Sequence, residues 1–206
     1  MRPESTLRKW GGRIRGIQAD EIASMKNSNR SRIALIAAVL CVFLTSACAT
    51  VKNEPLATVD YVDLERFMGD WYVIAHIPAR LEREAHNAVE SYRLSADGTI
   101  ETTYTFRDGG PDGELRSFHP RGFVYDSATN AEWRMQFVWP FKAEYLIVYL
   151  DEDYTLTMVG RSKRDYLWIM SREPRVPETT MRDLVRRAEE MGYDPDRVRK
   201  VPQHWP

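Results

Sequence analysis

The chain reads as an all-β domain, an antiparallel sandwich or barrel of eight short strands with one amphipathic helix on its outside. Three observations predict this. From Trp71 onward the sequence breaks into short β-type runs separated by turn-forming residues. Within those runs, side-chain character alternates with the period of two that strands impose. After Pro177 the period changes to that of a helix and stays there until Gly192.

The N-terminal quarter does not belong to that domain. Residues 33–44 (IALIAAVLCVFL) are twelve consecutive apolar residues. That is shorter than the roughly 20 needed to span a bilayer core, and it suits a secretory signal preceded by Lys26, Arg30 and Arg32. A start at Met25 gives a complete signal, so residues 1–24 are read as an extension that is non-native or unfolded, and 25–47 as the signal peptide. TSAC (45–48) resembles the lipobox of bacterial lipoproteins, with Thr45 where Leu is usual. That resemblance implies lipidation at Cys48, and Ala49 after it implies sorting to the outer membrane. The alternative is ordinary cleavage leaving Cys48 as a free thiol. Residues 48–60 are polar and unpatterned, a lipidated tether to a domain over 61–206.

Charge and cysteine content exclude several classes. Residues 1–47 hold eight of the 29 Lys and Arg and three of the 30 Asp and Glu, so the 159 residues from Cys48 carry a formal net charge of −6. Nucleic acid requires a basic stripe, so no nucleic-acid partner is expected. Cys41 leaves with the signal, so no intramolecular disulfide can form and packing must supply the stability. One core of this length is sufficient for one domain.

The strands fall at about 71–78, 88–95, 99–107, 115–125, 131–138, 143–151, 154–161 and 165–172. Asp63 to Phe67 makes one helical turn ahead of them. Asp97-Gly98 is a hairpin signal. Residues 108–113 form a longer glycine-rich loop, and Asp126 to Asn130 and Asp151 to Asp153 are acidic turns. Loops this short exclude parallel crossovers. In the third strand Ile100, Thr102, Tyr104 and Phe106 share a face; in the fifth, Trp133, Met135 and Phe137; in the eighth, Tyr166, Trp168 and Met170. Tyr92, Tyr104, Tyr145, Tyr149 and Tyr166 are expected on the inner face, where each phenol needs a partner. An eight-strand interior either fills with side chains or holds one small ligand. Past Pro177, Met181, Leu184, Val185, Ala188 and Met191 mark one helix face, and Val198 to Val201 an added edge strand.

Three stretches, GDWYVIAHIPARLER (69–83), FVWPFKAEYLIVYLDEDY (137–154) and DYLWIMSREP (165–174), make residues 59–206 similar to the bacterial lipocalins, the apolipoprotein D-like outer-membrane lipoproteins. Trp139 departs from the family's usual Gly. The resemblance implies an eight-stranded antiparallel up-and-down β-barrel with the helix packed outside. It implies that Gly69, Trp71 and Arg172 are structural, with Arg172 across the Trp71 indole at a closed end. It places loops 79–87, 108–114, 139–142 and 161–164 at an open end, with Arg80, Arg83 and Lys142 at the mouth. Ligand-contacting residues are then expected to be Tyr92, Tyr104, Met135, Phe137, Ile147, Tyr149, Met158, Tyr166 and Trp168.

The implied function is binding, storage or transport of fatty acids or lysophospholipids for membrane maintenance. The implied location is the outer membrane, facing the periplasm through the N-terminal lipid anchor, with a homodimer left open. No cofactor is implied. His76, His86, His119 and His204 are scattered without metal-ligand spacing, and no nucleophile elbow, P-loop or dinucleotide fingerprint is present, so the expectation is a non-enzymatic carrier. Two alternatives stand beside it. One is a carrier of another small hydrophobic molecule such as haem, for which His76 is the strand-borne ligand. The other is a filled barrel with a structural or assembly role.

Overall fold

The computed structural model describes residues 55–205. The extension, the signal peptide and the Cys48 lipidation site lie outside the described residues. The elements are α1 (Leu64–Phe67), β1 (Gly69–Ile77), a 3-10 turn (Arg80–Glu82), β2 (Ala85–Leu94), β3 (Thr99–Asp108), β4 (Glu114–Phe118) and β5 (Arg121–Val124). They continue with β6 (Glu132–Val138), β7 (Phe141–Leu150), β8 (Leu156–Gly160), β9 (Leu167–Ser171), α2 (Glu178–Glu190), a second 3-10 turn (Pro195–Arg197) and β10 (Arg199–Lys200). All pairings are antiparallel and mostly between sequence neighbours, and β9 pairs back onto β1 to close an eight-stranded barrel. The strand expected over 115–125 is divided at His119-Pro120. Proline has no N–H for the ladder, so β4 pairs with the upper part of β3 and β5 with its lower part.

Two apolar layers result. The interior layer includes Phe67, Trp71, Val73, Tyr92, Ile100, Phe106, Trp133, Met135 and Ile147. The outer layer lies between the barrel wall and α2, where Met181, Leu184 and Ala188 cover Ile74, Ile77, Leu146, Met158, Leu167 and Ile169. The helix seats closely because β8 ends in Gly160: a Cβ there would stand 2.0 Å from the Tyr193 hydroxyl. That hydroxyl in turn accepts from the Arg161 N–H at 3.0 Å. Leu56, 8% exposed, joins the same outer layer, so ordered packing begins at least four residues inside the segment expected to be tether.

β1 changes partners along its length. Its lower half pairs with β2 as far as Tyr72↔Val89, and its upper half pairs with β10. Beyond β10, Val201 N–H donates to Ile74 O at 3.0 Å and Asn87 N–H donates to Pro202 O at 2.9 Å. Gln203 Nε2 donates to Val73 O at 2.8 Å. The C-terminal segment thus fills the seam where β1 and β2 part.

The closed end is built around Trp71, which is fully buried. Its indole N–H donates to Phe67 O at 2.8 Å, and the Arg172 guanidinium lies 3.8 Å above its ring. Arg172 also donates to Asp70 O at 2.8 Å, Phe67 O at 3.0 Å and Met68 O at 2.8 Å. Gly69 has φ +93°, and a Cβ there would stand 3.4 Å from Arg172 Nη1, so the position requires both left-handed backbone and close approach. Truncating Trp71 removes a large core ring, so Trp71→Ala is expected to lower unfolding free energy by about 3–5 kcal/mol. Urea unfolding measures the loss; a change below about 1 kcal/mol would contradict this role.

Candidate functional site

At the other end the interior stays open. A cavity of about 440 Å³ is lined by Ala79, Leu81, Glu82, Glu90, Tyr104, Phe106, Phe118, Met135, Phe137, Val138, Ala143, Glu144, Tyr145, Arg161, Tyr166 and Trp168. Its floor rests on the packed rings of the closed end: Tyr145 stacks on Trp133 with centroids 5.3 Å apart, and Trp133 meets Phe67 edge-on at 5.4 Å. One wall is the group Tyr104, Phe106 and Phe118, and the opposite wall the stack Tyr145, Trp168 and Tyr166. The rim is apolar and exposed, with Leu81 72%, Phe137 56% and Val138 67% accessible. The β6–β7 tip beyond it carries exposed Trp139 and Phe141.

Among the residues expected to meet a ligand, the structure brings Tyr104, Met135, Phe137, Tyr166 and Trp168 together around this cavity. Tyr92 and Ile147 point inward but belong to the packing of the barrel interior. Tyr149 and Met158 are corrections: both lie in the outer layer under the helix. A register shift between Ile147 and Tyr149 marks a β-bulge in β7. The extra residue puts Val148 and Tyr149 on the same outer side, so alternation carried past Ile147 assigns the wrong face. Met158 is out of phase with its inward neighbour Val159. Tyr149 instead receives Arg187 of the helix over its ring at 5.1 Å.

The lining also holds residues that were not expected there, among them Phe106, Phe118 and three carboxylates, of which Glu82 and Glu90 are buried. Glu90 sits on β2 between Ala88 and Tyr92, sharing their inward face, and is 5% exposed. Its Oε2 accepts from the Tyr92 hydroxyl, and the Tyr145 hydroxyl lies within hydrogen-bond reach of both, 3.3 Å from Oε2. Burial raises its pKa to about 7; the Tyr92 hydrogen bond opposes that shift and the Glu82 charge adds to it. Glu82, also buried, holds the 3-10 turn. Its Oε1 accepts from Ala79 N–H at 2.8 Å and its Oε2 from the Tyr104 hydroxyl at 2.8 Å. Burial would raise its pKa, but the His76 imidazole 3.8 Å away and these donors together hold it below the usual value. The phenols of Tyr92, Tyr104 and Tyr145 are pushed well above their ordinary range by burial and by the neighbouring carboxylates. At the rim, Glu144 accepts from Ser162 N–H at 2.6 Å, and Arg161 lies 3.6 Å from Asp165.

A second recess of about 580 Å³ lies at the seam, lined by His76, Arg83, His86, Arg197, Arg199 and Lys200 among others. It is wider, but its charged lining faces solvent. The aromatic cavity is the one that can strip water from an apolar ligand.

Residues 62–203 match the model of the lipocalin-like domain family. The chain is 33% identical to temperature-induced lipocalin-1 of Arabidopsis thaliana over 171 residues, 75% of this chain and 86% of that protein. It is 29% identical to outer membrane lipoprotein Blc of Escherichia coli K12 over 162 residues, 78% of this chain and 90% of that one. Apolipoprotein D of Mus musculus is 29% identical over 58% of this chain and 65% of its own length. Insecticyanin from the tobacco hornworm Manduca sexta superposes with a TM-score of 0.56 at 14% identity, over 72% of this chain and 85% of that one.

The buried Glu90 makes stability depend on pH. Its pKa is about 7 in the folded barrel against 4.5 in the open chain, so the folded state binds the proton more tightly. Its contribution is full below pH 4.5 and is lost as pH rises to about 7, by at most about 3 kcal/mol. Glu90→Gln is expected to remove that slope and to gain on the parent protein as pH rises. Urea midpoints of both proteins between pH 5 and 8 check this; parallel profiles would contradict it.

Proposed function

The chain belongs to the lipocalin family, and on that premise we propose that it carries single-chain lipids, fatty acids or lysophospholipids, at the bacterial outer membrane. The observation that carries the proposal is the aromatic-walled cavity of about 440 Å³, open at one end and floored at the other by packed rings. Three supports converge on it. The size falls within the range of small-molecule sites, roughly 300–1,000 Å³. The apolar rim at Leu81, Phe137 and Val138 continues into the walls, giving an acyl chain an unbroken apolar path inward. The relatives named outer membrane lipoprotein match across most of their length, and the lipobox-like TSAC before Ala49 suits the same address.

The mechanism requires no covalent step. Each methylene moved from water into the cavity contributes about 0.8 kcal/mol. About a dozen methylenes therefore contribute about 10 kcal/mol, comparable with an association cost of about 4–15 kcal/mol. The closed end supplies rigidity and the loops at the mouth supply access. Lys142 at the mouth lies 3.5 Å over the Phe123 ring, and Arg161 4.9 Å from the Tyr166 ring centroid.

Trp168 lines the cavity, so lysolipid titrated below its micellar concentration is expected to change tryptophan emission saturably, with one ligand per chain. The substitution Ala143→Trp fills the mouth-side wall and is expected to weaken that binding at least about tenfold. Native mass spectrometry of protein extracted from its host membranes should show a co-purifying acyl species. No saturable emission change together with a ligand-free mass would favour the filled-barrel reading.

A further inference from the structure

A carrier cavity built only to desolvate an acyl chain would be apolar throughout. This one has two buried carboxylates in its lining. Glu90 lines the cavity and is 5% exposed. Protein donors reach only its Oε2, from Tyr92 and Tyr145. Among the described residues none donates to Oε1, so half of a buried carboxylate is left for whatever enters. Glu82 lines the same space from the 3-10 turn. Aromatic rings line the rest of the space, Tyr104 beside Phe118 with centroids 6.4 Å apart and Tyr145 beside Trp168 with centroids 6.3 Å apart.

Buried carboxylates in an aromatic-lined cavity are complementary to one head-group chemistry. Ring quadrupoles attract a cation within about 6 Å, more strongly once water is excluded. A buried carboxylate with a free lone pair is offset by a charge-assisted donor. An entering carboxylate would meet like charge in a shielded site, which costs affinity. We propose that the cavity selects an ammonium-bearing single-chain amphiphile, its cationic head seated on Glu90 and Glu82 between the aromatic walls and its chain directed to the apolar rim. This rests on the carrier reading and narrows it: a free fatty acid is the poorer ligand and keeps its head at the mouth.

The groups facing Glu90 are Glu82 on the 3-10 turn, His76 on β1, Tyr92 on β2, Tyr104 on β3 and Tyr145 on β7, with Arg161 and Glu144 at the rim. The phenols are all held well above their ordinary range and stay neutral near pH 7. Ionisation of Glu90 across neutral pH is therefore expected to strengthen ammonium binding.

Three probes of equal chain length separate the cases: dodecylamine, dodecanol and dodecanoate, titrated calorimetrically below their micellar concentrations at pH 6 and pH 8. Dodecylamine is expected to bind at least about tenfold tighter than dodecanol, and dodecanoate more weakly than dodecanol. The amine preference should grow from pH 6 to pH 8 and largely vanish in Glu90→Gln, while dodecanol binding persists. The comparison among probes on the parent protein stands even if that variant fails to fold. Equal affinity for all three, or tighter binding of dodecanoate, overturns the head-group inference and leaves the carrier reading intact. Binding of none overturns both.

Discussion

The structure depends on one guanidinium. Arg172, just past the end of β9, lies on the Trp71 indole and donates to main-chain carbonyls of the α1 turn and of the start of β1. Phe67 O and Met68 O lie at the end of that short helix, where carbonyls have no intrahelical partner, and Phe67 O also accepts from the Trp71 indole. Cation–π attraction contributes up to about 2 kcal/mol when shielded from water. The larger effect is geometric, because the contact joins residues about one hundred positions apart and so fixes the seam between first and last strands. Gly69 is the backbone condition for it, since only a residue without Cβ takes φ +93° so close to the arginine.

Closing one end decides what the other can do. The rings of Phe67, Trp71, Tyr92 and Trp133 pack the lower barrel as a solid core. The upper barrel lacks such a plug, and its aromatic side chains line walls instead. Packed core and open cavity are thus divided along the barrel axis. The helix adds a third layer outside, and it explains why large apolar residues of β7, β8 and β9 face away from the interior. The buried carboxylates run against the general economy of the fold, because an ionised group in an apolar interior is costly unless it is satisfied. Glu82 is satisfied at both oxygens by the turn it caps and by Tyr104. Glu90 is satisfied at one, and burial, with the Glu82 charge beside it, raises its pKa.

Much of this was legible in the residues. Alternation assigned the faces of β3, of β6 as far as Met135, and of β9; past Met135 a register shift against β7 leaves both Phe137 and Val138 lining the cavity. The helix was legible from Met181, Leu184 and Ala188, and the closing pair of Trp71 and Arg172 from the family resemblance. What escaped had local causes. Pro120 split a strand by removing a donor. The bulge in β7 carried Tyr149 outward, and a period of two cannot register an inserted residue. Glu90 was within reach, since it shares parity with Tyr92, but a charge in a strand is ordinarily assigned to solvent. Glu82 lies in a loop, where no period assigns a face at all. Leu56 was hidden in polar surroundings, and only the groove beside Gly160 and Tyr193 gives it a partner.

The proposed binding site is the open upper interior of the barrel. Isotope-filtered nuclear Overhauser spectroscopy of the protein with a bound acyl ligand tests it directly. The account predicts ligand methylene contacts to Phe106, Phe118 and Trp168, with the Trp71 ring and the Tyr149–helix surface silent. Contacts concentrated on Tyr149, Met158 or the face of α2 would place the ligand outside the barrel and contradict it.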